Sequence, residues 1–194
     1  MNEIKSLLWH LDNHTAEGQR LPLVHALARR LEATLEVLYA VTPLPMQFPF
    51  AMTAESGAAG QLAACEAEQR RAARAAFERA CQAAACTGLH WQATPDEPVR
   101  AFSAHAWAAD LLVLGQHDPQ AEGAAGVPAD FVASVLVTTG KPGLVLPCID
   151  ITQTPGQNVL VMGCYGHGRA REWALGGVTR TVLQAMTLSV LMAH

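Results

Sequence analysis

Apolar positions along the first 150 residues alternate between two spacings. Short runs that are apolar or β-branched, bounded by polar residues, glycine or proline, predict five strands. They cover Ile4–His10, Thr34–Val41, Leu89–Ala93, Leu111–Gly115 and Gly143–Pro147. Apolar positions three and four residues apart predict helices between them, over 16–33, 61–85, 97–108 and 128–138, and three prolines predict a loop over 43–52. Strands joined by helical crossovers are typical of an open, doubly wound parallel α/β sheet, a Rossmann-like architecture.

The end of the sequence repeats, in kind, the fourth and fifth of these strands. The runs VLVMG (Val159–Gly163) and SVLMA (Ser189–Ala193) resemble them, and a helix over 176–186 is predicted in between. Nothing in the sequence duplicates residues 1–109.

This repeat predicts how the chain is divided. We expect a complete domain over 1–148, a polar linker over 149–157 and a partial second copy over 158–194. The chain would then be a tandem repeat with a truncated second domain.

Composition excludes several classes of protein. Hydrophobic residues make up 51% of the chain, so a sizeable core can be buried, and a net charge of −4 without clustered Lys and Arg argues against a nucleic-acid partner. The start is not signal-like and no run approaches about 18 apolar residues, which predicts a cytoplasmic protein with no membrane segment. The five cysteines have no metal-ligand spacing, so we expect inert thiols and no metal site.

A glycine-rich segment after the strand Val159–Gly163 carries the strongest chemical signal. Gly163 and Gly166 have the spacing G-x-x-G, and Gly176 follows where the next helix is predicted. A strand, a glycine loop and a helix start direct backbone N–H groups and the positive end of the helix dipole at one point, which suits phosphate.

This segment resembles the nucleotide-binding signature of the universal stress protein family, and residues 159–194 resemble the end of its tandem bacterial members. The resemblance implies the adenine nucleotide alpha-hydrolase-like fold, with strand order 3-2-1-4-5, and a role in the stress response. It also implies dimers formed through strand five and, in one branch of the family, bound ATP with Mg²⁺.

Residues that match the family's binding positions occur in both copies. In the complete domain they are Asp12 after strand one, Val41 at the end of strand two and Gly115 at the end of strand four. In the partial copy they are Met162, Gly163, Gly166, Gly176, Gly177, Val178 and Thr179.

The complete domain departs from the family pattern in its phosphate loop. Gly115 is followed by Gln116, His117 and Asp118, which places a carboxylate where the second glycine would approach phosphate. Pro128 and Ala129 stand where the later glycine is expected. The sequence thus predicts a divided site, because one copy has the adenosine side and the other has the intact glycine loop.

Two placements of the partial copy are open at this point. In the first, which the resemblance to tandem family members implies, Ser189–Ala193 pairs antiparallel with Gly143–Pro147 and gives the order 3-2-1-4-5-5′-4′. Val159–Gly163 is then an exposed edge, which we expect a second subunit to cover. In the second, residues 157–194 replace residues 110–147 beside strand one, in their own or a neighbouring subunit. That placement would unite Asp12 with the intact loop.

Three classes of function follow. The first is a stress-response regulatory protein that binds ATP, and the second is a degenerate member that acts through protein contacts with a second copy or another protein. The third is a weak ATPase or hydrolase. The enzyme class has the least support, because the sequence shows no nucleophile with its base, and no catalytic residue is predicted.

Overall fold

The structure is a computed structural model, which describes residues 3–12, 17–49, 58–118, 126–148, 159–163 and 177–193. Its strands are β1 (Ser6–Leu11), β2 (Thr34–Tyr39), β3 (His90–Ala93), β4 (Leu111–Gly115), β5 (Gly143–Leu146), β6 (Val159–Gly163) and β7 (Ser189–Ala193). Its helices are α1 (Glu17–Arg30), α2 (Leu44–Gln47), α3 (Ala58–Ala83), α4 (Pro98–Ala106), α5 (Phe131–Thr139) and α6 (Gly177–Ala185).

The strands form one sheet in the order β3-β2-β1-β4-β5-β7-β6. Neighbouring strands are parallel except β5 and β7, which are antiparallel, with Leu144 opposite Leu191. The predicted fold class is confirmed, as are the strand order and the antiparallel pairing of the first placement, whereas its covering subunit stays a prediction. The alternative, with the partial copy beside strand one of its own subunit, is wrong because β2 and β4 already pair with both edges of β1.

Two helical layers cover the sheet. On one face α4 and α5 enclose a core that includes Leu112 and Val135, and on the other α1 and α3 lie over Trp9 and Val37. The strand–helix–strand unit of β6, α6 and β7 shares the first core, because Met192 is buried in the same cluster. A unit of this size cannot bury both of its faces alone, so β5 and the first core stabilise it.

The structure corrects one predicted loop. The predicted limits of the two domains stay predictions. The loop predicted over 43–52 contains the short helix α2, because Pro43 is its N-cap and Pro45 lies in its first turn, where a missing N–H costs nothing. The linker predicted over 149–157 lies outside the described residues. None of the helices in the described part of the chain is both long enough and apolar enough to cross a membrane.

Candidate functional site

The candidate residues of the complete domain lie at one edge of the sheet. Asp12 directly follows β1, Val41 lies two residues beyond β2, and Gly115 ends β4. Because β2, β1 and β4 are parallel neighbours, their carboxyl ends meet at this edge, which is where open α/β sheets bind ligands. Asp12 and Val41 are half-buried there.

The candidate residues of the partial copy lie at the opposite edge. Met162 and Gly163 end β6, while Gly177, Val178 and Thr179 open α6. Since β7 is antiparallel to β5 and β6 is parallel to β7, β6 runs against β4. With about 4.8 Å between strands, β6 is also about 14 Å across the sheet from β4. The described residues of the two half-sites are therefore not brought together, and Gly166 and Gly176 lie outside the described residues.

A buried arginine that the sequence motif did not indicate lies against Gly115. The Nη2 of Arg20, on α1, donates a hydrogen bond to the carbonyl of Pro147 at 2.9 Å. Its Nη1 lies 2.6 Å from the position that a Cβ on Gly115 would occupy. Because Gly115 has no Cβ, the guanidinium of Arg20 can pack directly against it. Nothing in the local sequence distinguishes Arg20 from a solvated helical arginine.

Gly115→Ala is expected to lower the free energy of unfolding by about 1–3 kcal/mol, since the new methyl group would push Arg20 from the Pro147 carbonyl. Chemical denaturation of both forms measures the change. Gly60→Ala is the matched control, because a Cβ at Gly60 in α3 meets nothing within 4 Å, and a helical alanine should stabilise by about 0.5–1 kcal/mol. Equal effects of the two substitutions would contradict the assignment.

Gln116 joins the end of β4 to the partial copy. Its buried amide donates to the carbonyl of Leu183, on α6, at 2.9 Å and accepts from the backbone N–H of Cys148 at 3.0 Å. Its own backbone N–H donates to the carbonyl of Leu146 at 2.8 Å. The N–H of Gln116, which is the first backbone donor after Gly115, is therefore already hydrogen-bonded. The Gln116 side chain is held in place by its bonds to Leu183 and Cys148.

His10 fills the space between the end of β1 and the helices α4 and α5. Its Nε2 lies 2.8 Å from the carbonyl oxygen of Ala40, and its ring centroid is 4.2 Å from that of Phe131 and 5.4 Å from that of Phe102. Burial lowers the pKa of His10 below its ordinary value, although the charge of Asp12 acts in the opposite direction. The imidazole is therefore a neutral packing group beside Asp12.

The described residues do not fit an ATP triphosphate held by one subunit in the family's usual manner. The backbone N–H of Thr42, just after Val41, donates to the carbonyl of Gly126 at 2.6 Å, which ties the end of β2 to the segment before α5. The Gln116 N–H is also engaged, and Arg20 lies on Gly115. The Gly163 end of β6 lies at the far edge of the sheet.

Metal and thiol chemistry have little support within the described ranges. No group of three or more His, Cys, Asp or Glu side chains there could hold a metal ion. The four cysteines described, Cys65, Cys81, Cys86 and Cys148, are free thiols. Burial raises the pKa of Cys81, Cys86 and Cys148, which disfavours the reactive thiolate.

The sheet order and the helical layers define the class of open, doubly wound α/β proteins. Within that class, the chain has the universal stress protein fold. Universal stress protein UspA from Lactobacillus plantarum is similar with a TM-score of 0.57 at 18% identity, over 76% of this chain and 99% of its own.

A second solved structure extends the likeness into the partial copy. A universal stress protein from Archaeoglobus fulgidus DSM 4304 is similar with a TM-score of 0.52 at 12% identity. The match covers 97% of this chain and 75% of the other protein's chain. No model of a protein family matches the sequence, and no curated protein does. These likenesses establish the fold.

Proposed function

We propose that this chain is a stress-response regulatory protein of the universal stress protein family that acts through contacts with protein, and that the contact surface is the edge strand β6. The observation that carries the proposal is the contrast between β4 and its repeat, β6. Residues Leu111–Leu114 of β4 are 0–4% exposed between two neighbouring strands, whereas Val159, Leu160 and Val161 of β6 are 49%, 45% and 67% exposed.

The composition of β6 favours pairing with another strand. The run VLVMG contains no charge and no proline, the features with which soluble proteins usually protect an open edge. The edge of β5 through which the family resemblance implies dimers pairs with β7 of the same chain. A second copy would therefore pair through β6, and two β6 strands running antiparallel about a two-fold axis close the assembly as a homodimer.

Val161→Lys should convert this dimer into a monomer, because a charged side chain on an edge strand opposes sheet extension. Light scattering coupled to size exclusion measures the mass at micromolar concentrations. Val137→Lys on α5 is the matched control, since Val137 is a 36% exposed valine on a helix and should keep the dimer. A wild-type chain that is monomeric at every concentration, or a Val161→Lys form that stays dimeric, would overturn the proposal.

A second candidate function is binding of an adenine nucleotide, ATP with Mg²⁺. The gathering of Asp12, Val41 and Gly115 at one ligand edge favours it. We place it second because the N–H groups of Thr42 and Gln116 are engaged and the partial copy's candidate residues lie at the opposite edge. No catalytic role is assigned to any of these residues.

A further inference from the structure

Arg70, on α3, has an unsatisfied buried donor. Its Nε–H is buried without a hydrogen-bond partner, and the guanidinium forms no ion pair or hydrogen bond with any residue in the described ranges. A buried donor without an acceptor is costly, and native structures keep few of them unless a water, an ion or a ligand supplies the acceptor.

Neighbouring arginines on the same helix behave differently. Arg71 forms an ion pair with Glu68 at 2.6 Å, and Arg74 forms one with Glu78 at 2.9 Å, both on the solvent side of α3. Glu66 lies four residues before Arg70, a spacing that suits an ion pair, yet the two side chains are not paired. Glu66 instead accepts a hydrogen bond from the backbone N–H of Leu44, at the start of α2.

Arg70 lines an open cleft at the carboxyl edge of the sheet. Tyr39 and Val41 at the end of β2, and Thr94 just after β3, form one side, while Arg70 and Glu66 of α3 form the other. Counted out to its open mouth, the cleft encloses about 300 Å³. Much of this space is open solvent at the mouth of the cleft, which lies at the edge where parallel sheets bind ligands.

We propose that this cleft binds the carboxylate or phosphate group of a small molecule, with the Arg70 Nε–H as a donor. A charge-assisted hydrogen bond to an oxyanion satisfies the buried group and is stronger than a neutral one. Because the Glu66 carboxylate lines the same cleft, a singly charged group is favoured over a dianion. The site is distinct from the β6 surface and does not depend on the proposed regulatory function.

The arginine Nε–Hε resonance of Arg70 is a direct probe. In ¹H–¹⁵N spectra of the full chain, titration with sodium acetate and, separately, with inorganic phosphate should move this resonance along a saturable curve. Sodium chloride at matched ionic strength should not. A saturable shift with acetate but not with phosphate would indicate a carboxylate ligand. A saturable shift with phosphate but not with acetate would indicate a phosphate ligand. If neither anion shifts the resonance, or if every shift is linear in concentration, the proposal is wrong.

Two substitutions test the donor itself. Arg70→Gln should weaken binding of the active anion by about tenfold or more, as expected for loss of one charge-assisted hydrogen bond. Arg71→Gln removes a neighbouring arginine whose partner is Glu68 and should leave binding unchanged. Backbone amide shifts of Val41 and Thr94, which line the cleft, report binding in both variants. Equal weakening by the two substitutions would show non-specific attraction to α3 and overturn the assignment.

Discussion

Met192→Ala is expected to lower the free energy of unfolding of the whole chain by about 2–5 kcal/mol. Met192 lies on β7 and is 0% exposed, in the core that also contains Val135 and Val145 of the complete domain. Its removal would leave a cavity in a core shared by both parts of the chain. Urea denaturation followed by circular dichroism and by tryptophan fluorescence should show one coincident transition, at a fixed protein concentration because a dimer's stability depends on it.

Leu188→Ala is the control for this prediction. Leu188 lies just before β7 and is 36% exposed, so its truncation should cost less than about 1 kcal/mol. If Met192→Ala cost no more than Leu188→Ala, or if the circular dichroism and fluorescence transitions were separate, the partial copy would be an independent appendage.

Acidification below pH 6.5 is expected to destabilise the chain through His10. Burial holds the pKa of His10 below its ordinary value of 6.5, so the unfolded chain binds a proton that the folded chain excludes. The stability that comes from neutral His10 is fully present above pH 6.5 and is lost progressively as the pH falls towards the folded pKa. Denaturation midpoints measured from pH 8 to pH 5 give the slope of stability against pH.

His10→Gln separates this effect from the titration of other groups. The glutamine amide can still donate to the Ala40 carbonyl but does not titrate, and the loss of ring packing on Phe131 should cost about 1–3 kcal/mol at pH 8. The variant should show a clearly shallower fall in stability below pH 6.5. A slope equal to that of the wild-type chain would show that His10 is not the responsible group.

The strand pattern was readable from sequence because strands buried on both faces are continuous apolar runs. β4, β6 and β7 have the predicted limits, and the antiparallel contact of β5 and β7 is the one that the resemblance to tandem family members implied. The limits of strand one were predicted less accurately. Strand one was predicted to end at His10 but continues to Leu11, because these residues pair with Leu38 and Tyr39 of β2.

The candidate site was predicted less completely than the fold. The sequence placed Asp12 after strand one, and Val41 and Gly115 at the ends of strands two and four, since the carboxyl ends of parallel strands are set by the order of elements. It gave no sign of Arg20 or Gln116, whose roles depend on contacts with residues 127 and 67 positions away. Long-range hydrogen bonds of single polar side chains leave no periodic pattern in a sequence.

The division of the candidate site has a simple geometric origin. Antiparallel pairing of β5 with β7 reverses the direction of the whole second unit, so the carboxyl end of β6 faces away from that of β4. Gly163, the described end of β6, therefore lies away from a ligand held beside Asp12 of the same subunit. The fold thus separates the two sets of predicted site residues.

Calorimetric titration of ATP with Mg²⁺ into the full chain tests this account most directly. We expect no saturable heat that depends on Asp12 at ATP concentrations up to the millimolar range, because no single subunit places the described parts of both half-sites around one ligand. Heat that is lost in Arg70→Gln would belong to the cleft beside α3. Saturable binding of one ATP per subunit that is lost in Asp12→Ala would contradict the account, since the complete domain would then bind the nucleotide without the second half-site.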